Sequence, residues 1–162
     1  MRLETGGDLP PGLLSLMRLH LLIILVVIVL AILVWLPGRA VIASLTALAL
    51  VLVLVHLCLL AGTQFGVLFQ SQRQEWMPGI LLAQGTPVVL GVLALMLPVL
   101  WGTGVMFLAT LLARLPERAP TLARLWPDRW QAARIQQHRL LMVAITSLFL
   151  ALWYTEYWRL GG

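Results

Sequence analysis

His56 is the side chain in this sequence with the clearest potential for chemistry. It lies in the middle of a long apolar stretch, far from the nearest charges at Arg39 and Arg73. Ionisable side chains at membrane depth are costly and often mark cofactor or proton sites. One hypothesis is therefore that His56 ligates a haem or contacts a quinone. The more common role is a neutral histidine that hydrogen-bonds to a neighbouring helix, so our main expectation is that no cofactor is bound.

The other two histidines, His20 and His138, stand near the beginnings of apolar stretches. We expect both on one side of the protein and not at the level of His56, which argues against a haem held by two histidines of this chain. A joint metal or proton site is a weaker alternative, because no cysteine or acidic ligand accompanies them. Cys58 is the only cysteine and cannot form an internal disulfide; we expect a small, buried side chain there.

Motifs of the common enzyme classes are absent from the sequence. There is no HExxH, no P-loop, and no paired carboxylates or nucleophile–base set. The eleven basic residues are all arginine and outnumber six acids, for a net charge of +5. Because these arginines flank apolar blocks, they suit anionic lipid headgroups and topology signals better than nucleic acid. We therefore expect neither an enzyme nor a nucleic-acid-binding protein.

The composition indicates a membrane protein. Hydrophobic residues make up 61% of the chain and charged residues 10%, against about 25% charged in a typical soluble domain. Apolar runs of about 20 residues match the thickness of a bilayer. The sequence predicts an all-α, polytopic integral membrane helical bundle with four apolar blocks and a single membrane domain. Its predicted segments are a polar tail (1–15), spans at 16–36 and 40–69, a kinked span or helical hairpin (80–113), a basic loop (114–139) and a last span (140–158).

The third block is ambiguous because it is too long for one span and short for two. Pro87, Pro98, Gly102 and Gly104 are candidate helix breaks. One interpretation is a single kinked helix from Val88 to Ala113, and the other is a hairpin that turns between Pro98 and Gly104. A hairpin places nine arginines on one side against two, whereas a single span gives seven against four. The positive-inside rule therefore favours the hairpin, with a cytoplasmic N-terminus and an outer C-terminus.

The basic loop contains a second candidate surface. Asp128 and Gln131 have the spacing of a capping box, which predicts that a helix starts at Asp128 and continues into the last span. Its aromatic and basic residues predict a short amphipathic leg on the cytoplasmic leaflet. The residues expected to contact lipid headgroups or a partner protein are Arg124, Trp126, Arg129, Trp130 and Arg134.

These features favour a small, non-catalytic accessory or assembly subunit of a larger complex in the bacterial cytoplasmic (inner) membrane. Its expected partners are other integral membrane subunits and anionic lipid headgroups. Two alternatives belong to other classes. The first is an electron-transfer subunit that binds haem or quinone through His56, and the second is a small channel or transporter that uses the broken third block.

Overall fold

The computed structural model describes residues 11–35, 41–70, 77–115 and 128–159. Positions 1–10 of the predicted tail lie outside these residues, as do Arg124 and Trp126. The described part of the chain is all-helical and contains no strand. Its five helices are α1 (Pro11–Leu33), α2 (Ile42–Gln70), α3 (Met77–Met96), α4 (Val99–Leu112) and α5 (Asp128–Arg159).

Three of these helices are long and apolar enough to cross a membrane. The qualifying stretches are Leu14–Leu33, Ile42–Gly66 and Trp130–Tyr157. The other two helices are shorter: α3 has 20 residues and α4 has 14, or about 30 Å and 21 Å of helix. The last helix is continuous from Asp128, so no loop separates the predicted amphipathic leg from the final span.

Helices α3 and α4 form an antiparallel hairpin. The chain leaves α3 after Met96 and re-enters helix at Val99, with Pro98 as the N-terminal flanking residue. Three facing pairs step along the two helices in opposite directions: Gly102 against Ala94, Gly91 against Met106, and Gln84 against Ala113. Two short helices packed side by side therefore replace the alternative of one kinked helix.

Only one of the predicted helix breaks interrupts the backbone. Pro98 lies at the turn, whereas Pro87 is inside α3 and Gly102 and Gly104 are inside α4. The prediction of breaks at those three positions is wrong. Pro87 lies ten residues into α3, which continues through it. Gly102 serves packing instead, since a Cβ atom built there would lie 2.2 Å from the carbonyl oxygen of Ala94.

The five helices form a closed ring in which each contacts the next and α5 returns to α1. Helix α2 also contacts α4 and α5 across the ring, so it is the central element. Buried aliphatic residues fill the interior, among them Ile24, Val53, Leu141 and Leu148. Large apolar side chains also cover the outside of every helix. An apolar surface this extensive is unfavourable in water and is typical of contact with lipid or with other proteins.

Neighbouring helices run in alternating directions around most of the ring. Helices α1, α3 and α5 therefore begin at one end of the bundle, called here the near end, and finish at the far end. The end of α1, the start of α2 and the turn between α3 and α4 all lie at the far end. There, the indole Nε1 of Trp35 donates a 2.9 Å hydrogen bond to Ser147 Oγ and connects α1 to α5.

Candidate functional site

A pair of histidines from α1 and α2 lies inside the bundle. The Nδ1 atoms of His20 and His56 are 2.9 Å apart, and the two rings meet edge to face with centroids 4.7 Å apart. Both side chains are buried, at 3% and 7% exposure. A hydrogen bond between two Nδ1 atoms needs one protonated and one unprotonated nitrogen. At least one of the two imidazoles is therefore neutral.

The pair leaves one ring nitrogen of His20 unsatisfied. His20 Nε2 is buried and has no hydrogen-bond partner among the described residues. If His56 donates, His20 must carry its own proton on Nε2, and if His20 donates, that nitrogen is a bare acceptor. Either arrangement leaves a buried polar atom uncompensated, which costs about 1–3 kcal/mol. Two apolar side chains at these positions would avoid this cost in the free energy of folding.

The prediction that His20 lies at a different level from His56 is wrong. His20 precedes the end of α1 at Leu33 by 13 residues, and His56 follows the start of α2 at Ile42 by 14. Because the two helices are antiparallel, these nearly equal separations place both rings at one level, about 20 Å from the last residues of α1 and the first residues of α2. The prediction counted the depth of His20 from the start of the first span, at residue 16. Helix α1 begins earlier, at Pro11, so His20 lies farther from its start than expected.

A small cavity of about 10 Å³ lies against His56 between α2, α4 and α5. Such a volume has room for about one water molecule. Its floor is apolar, formed by Leu57, Leu60 and Ala113. Its polar lining consists of His56, Thr110, Arg114, Arg134, Gln137 and His138. The third histidine thus joins the first two in one region, whereas the sequence grouped only His20 with His138.

The two guanidinium groups reach this cavity from different elements. Arg114 follows the end of α4, and Arg134 lies in the second turn of α5. The guanidinium carbon of Arg134 is 5.9 Å from the ring centre of Trp130, one helical turn away, within the range of a cation–π contact. Because Trp130 is 1% exposed, it provides a fixed platform that holds Arg134 towards the bundle interior.

The structure describes only part of the docking surface predicted in the basic loop. Trp130 is buried in the bundle and is not available to a partner protein, which corrects its assignment to an exposed leg. Arg134 is half-buried and lines the cavity instead. Arg124 and Trp126 lie outside the described residues, as does the side chain of Arg129. The capping-box spacing gave the correct helix start but no information on which face is buried.

The contact between the two rings is that of a hydrogen bond. The 2.9 Å separation of the two Nδ1 atoms lies within the usual range for such a bond. Within the described ranges, no three His, Cys, Asp or Glu side chains are grouped so as to hold a metal ion. The site is suited to hydrogen bonding and to binding small polar groups.

Other polar side chains of the described helices contact backbone carbonyls. Gln84 is buried and reaches the carbonyl oxygen of Ala113 across the hairpin, at 3.4 Å from Nε2. Cys58 is exposed on α2, so the expectation of a buried thiol is wrong. Seven threonine hydroxyls donate to the carbonyl four residues earlier in their own helices: Thr46, Thr63, Thr86, Thr103, Thr110, Thr146 and Thr155.

Comparison of the chain with known protein families, with curated proteins and with solved structures finds no match to any of them.

Proposed function

We propose that this protein is a multi-pass protein of the bacterial cytoplasmic membrane and acts as a non-catalytic accessory or assembly subunit of a larger membrane complex. In this proposal all five helices lie in the membrane, with the near end in the cytoplasm. The observation that carries the proposal is an exposed face of α2. It contacts no other described helix, and its side chains become small towards one end. That face offers a place for a helix of another subunit.

The exposed stripe of α2 changes character along its length. Towards the far end it carries Leu48, Val51 and Val55, all more than 40% exposed. Towards the near end the same stripe continues as Cys58, Gly62 and Gly66, all exposed. A Cβ atom built at Gly62 or Gly66 would meet no described atom within 4 Å. The stripe is therefore bulky in one half and nearly flat in the other.

A flat, small-residue stripe is useful in a membrane because it lets two helix backbones approach closely. Lipid tails are as apolar as leucine, so helix association in a bilayer depends on such close packing more than on hydrophobic burial. Gly62 and Gly66 have the four-residue spacing of the best-known motif of this kind. The bulky half of the stripe suits lipid, and the small half suits a helix of a partner subunit.

The test is affinity purification from native membranes in mild detergent, followed by mass spectrometry. The wild-type protein should retain defined membrane subunits in fixed stoichiometry. Gly62→Leu should lose them, because its side chain fills the space left for the partner helix. Val51→Leu is the matched control, since it enlarges the bulky half of the same stripe and should retain them. Purification of the wild type as a lone monomer, or only as a homo-oligomer, would remove the subunit role.

The haem or quinone alternative has a separate readout in the same sample. A Soret band that is lost in His56→Ala would support it, and a colourless complex without quinone would argue against it. The channel alternative predicts solute or proton flux in proteoliposomes that changes with Gln84→Leu or Pro98→Ala. Neither alternative is favoured by the packing of the described residues, since the cavity is small and the hairpin interface is tight.

A further inference from the structure

We infer that the cavity between α2, α4 and α5 is a binding site for an oxyanion of the phosphate class. The chemistry is shared by two sources, the phosphate of an anionic phospholipid and free inorganic phosphate. The inference concerns this chain alone and does not depend on whether it serves a larger complex.

The lining of the cavity has the composition of an anion site. Two guanidinium groups, those of Arg114 and Arg134, border it, and no described residue in the lining is acidic. Guanidinium groups present fixed pairs of N–H donors that match the geometry of phosphate oxygens. The Gln137 amide and the ring of His138 add polar groups around the same space, whereas the Thr110 hydroxyl already donates to the Met106 carbonyl. The two arginines come from the end of α4 and from α5.

The surroundings strengthen any charge interaction at this position. Leu57 and Leu60 are almost fully buried and form a dry floor. Hydrogen bonds between charged groups are stronger where water is excluded, so an anion here would be held more firmly than on an open surface. Trp130 also holds Arg134 in place, which reduces the conformational entropy lost when a ligand binds.

The size and position of the cavity suit one oxygen of a larger anion. A volume of about 10 Å³ accepts an atom of about the size of a water oxygen. The rest of a phosphate group would lie outside this volume, next to the residues that line it. Basic pockets between membrane helices on the cytoplasmic side are typical sites for phospholipid headgroups. A lipid phosphate at the near end would therefore reach this site without crossing the bundle.

The experiment measures binding to the full-length protein in detergent. The protein is stripped of lipid and then titrated separately with phosphatidylglycerol, with phosphatidylcholine and with inorganic phosphate. Native mass spectrometry counts bound lipid, and the thermal unfolding midpoint reports stabilisation. Arg114→Gln and Arg134→Gln are the test variants. Arg139→Gln and Arg18→Gln are matched controls, since both arginines are exposed and lie outside the cavity lining.

We expect saturable binding of one phosphatidylglycerol with a raised midpoint, and little effect of phosphatidylcholine. Arg114→Gln should weaken that binding about tenfold or more, since it removes a charge-assisted contact. The controls should bind as the wild type does.

Stabilisation by inorganic phosphate that is lost in Arg114→Gln would support the same site with a free anion as its ligand. Equal binding by wild type and both test variants, or no binding of either anion, would overturn the inference. Arg114 follows a helix end, so its variant keeps the test valid if Arg134→Gln fails to fold.

Discussion

Individual polar residues in this protein are satisfied in two ways. Most threonines use a carbonyl of their own helix, so they need no partner elsewhere. The two buried histidines instead contact a side chain on another helix. His20 and His56 therefore depend on each other across two helices. The pair links α1 to α2 through a specific contact, whereas the threonines contribute nothing to the choice of neighbour.

The dependence between the two histidines predicts non-additive effects on stability. His56→Leu removes one partner and leaves the other buried without its hydrogen bond, which should cost about 1–3 kcal/mol. His20→Leu should cost a similar amount. The double variant should cost less than the sum, with a coupling of about 0.5–2 kcal/mol. The measurement is reversible unfolding in mixed detergent micelles, followed by tryptophan fluorescence.

A second cycle serves as the control for this measurement. Thr63 bonds only to the carbonyl of Leu59 in its own helix. His20→Leu combined with Thr63→Ala should therefore be additive within about 0.5 kcal/mol. Additive behaviour of the two histidines as well would show that their contact contributes no stability and that the two rings are independently placed.

The sequence predicted that His56 is buried but not that it has a partner. The apolar stretch around His56 indicated a buried position, and the structure buries it. The equal level of His20 follows from the predicted spans 16–36 and 40–69, in which His20 lies 16 residues before the end of the first span and His56 16 residues after the start of the second. The residue types do not give the rotation of each helix about its axis, which decides whether two rings at one level face each other.

Helices α3 and α4 show how two short elements can act as one. Neither is among the helices long enough by themselves to cross a membrane, yet side by side they fill one sector of the ring. Their contact is close at Gly102, where the backbone of α3 occupies the space of a side chain. Gly102 also donates its backbone N–H to the Pro98 carbonyl at 2.8 Å, within the first turn of α4. The hairpin is thus fixed near its tip.

Substitution at Gly102 should disrupt this packing. The Cβ atom of Gly102→Ala would lie 2.2 Å from the carbonyl oxygen of Ala94, a backbone atom that cannot rotate away. We expect a loss of about 1–3 kcal/mol in the free energy of unfolding, as for other overpacked positions. The measurement is the same unfolding assay. Gly104→Ala in the same helix is the matched control, because its nearest neighbour would be Phe149 at 3.9 Å, an ordinary contact.

The control should be neutral or slightly stabilising, since alanine favours helix over glycine by up to about 1 kcal/mol. Equal stability of Gly102→Ala and Gly104→Ala would show that the two helices are farther apart than the structure places them. The sequence indicated a break at Pro98 because proline lacks a backbone donor. It could not separate the role of Gly102 from that of Gly104, since close approach is a property of the neighbouring helix rather than of the glycine.

The distribution of residues over the whole bundle points to a fixed orientation. Arginines gather at the near end: Arg18, Arg114, Arg134 and Arg139. Exposed aromatic side chains gather towards the far end, where Trp153 stacks on Tyr157 at 5.7 Å and Trp101 follows the hairpin turn. Membrane proteins keep basic residues on the cytoplasmic side and place tryptophan and tyrosine at the interfaces. The orientation predicted from the sequence depends on the hairpin, because one fewer crossing would reverse the last helix, and it stays a prediction.

An orientation with both turns outside the cell can be tested with single cysteines. In a Cys58→Ala background, Leu97→Cys places a thiol at the exposed hairpin turn, and Leu115→Cys places one just after α4. In the proposed orientation the hairpin turn lies at the outer surface and Leu115 on the cytoplasmic side. A membrane-impermeant maleimide applied to intact cells should therefore label Leu97→Cys and not Leu115→Cys. After permeabilisation both should react, which controls for folding and thiol exposure.

Labelling of Leu115→Cys alone in intact cells would show that the topology is the reverse of the proposed one. Failure of Leu97→Cys to react from outside, with reaction after permeabilisation, would mean that the hairpin enters and leaves the membrane on the cytoplasmic side. The bundle would then have two crossings fewer, and α5 would still begin in the cytoplasm.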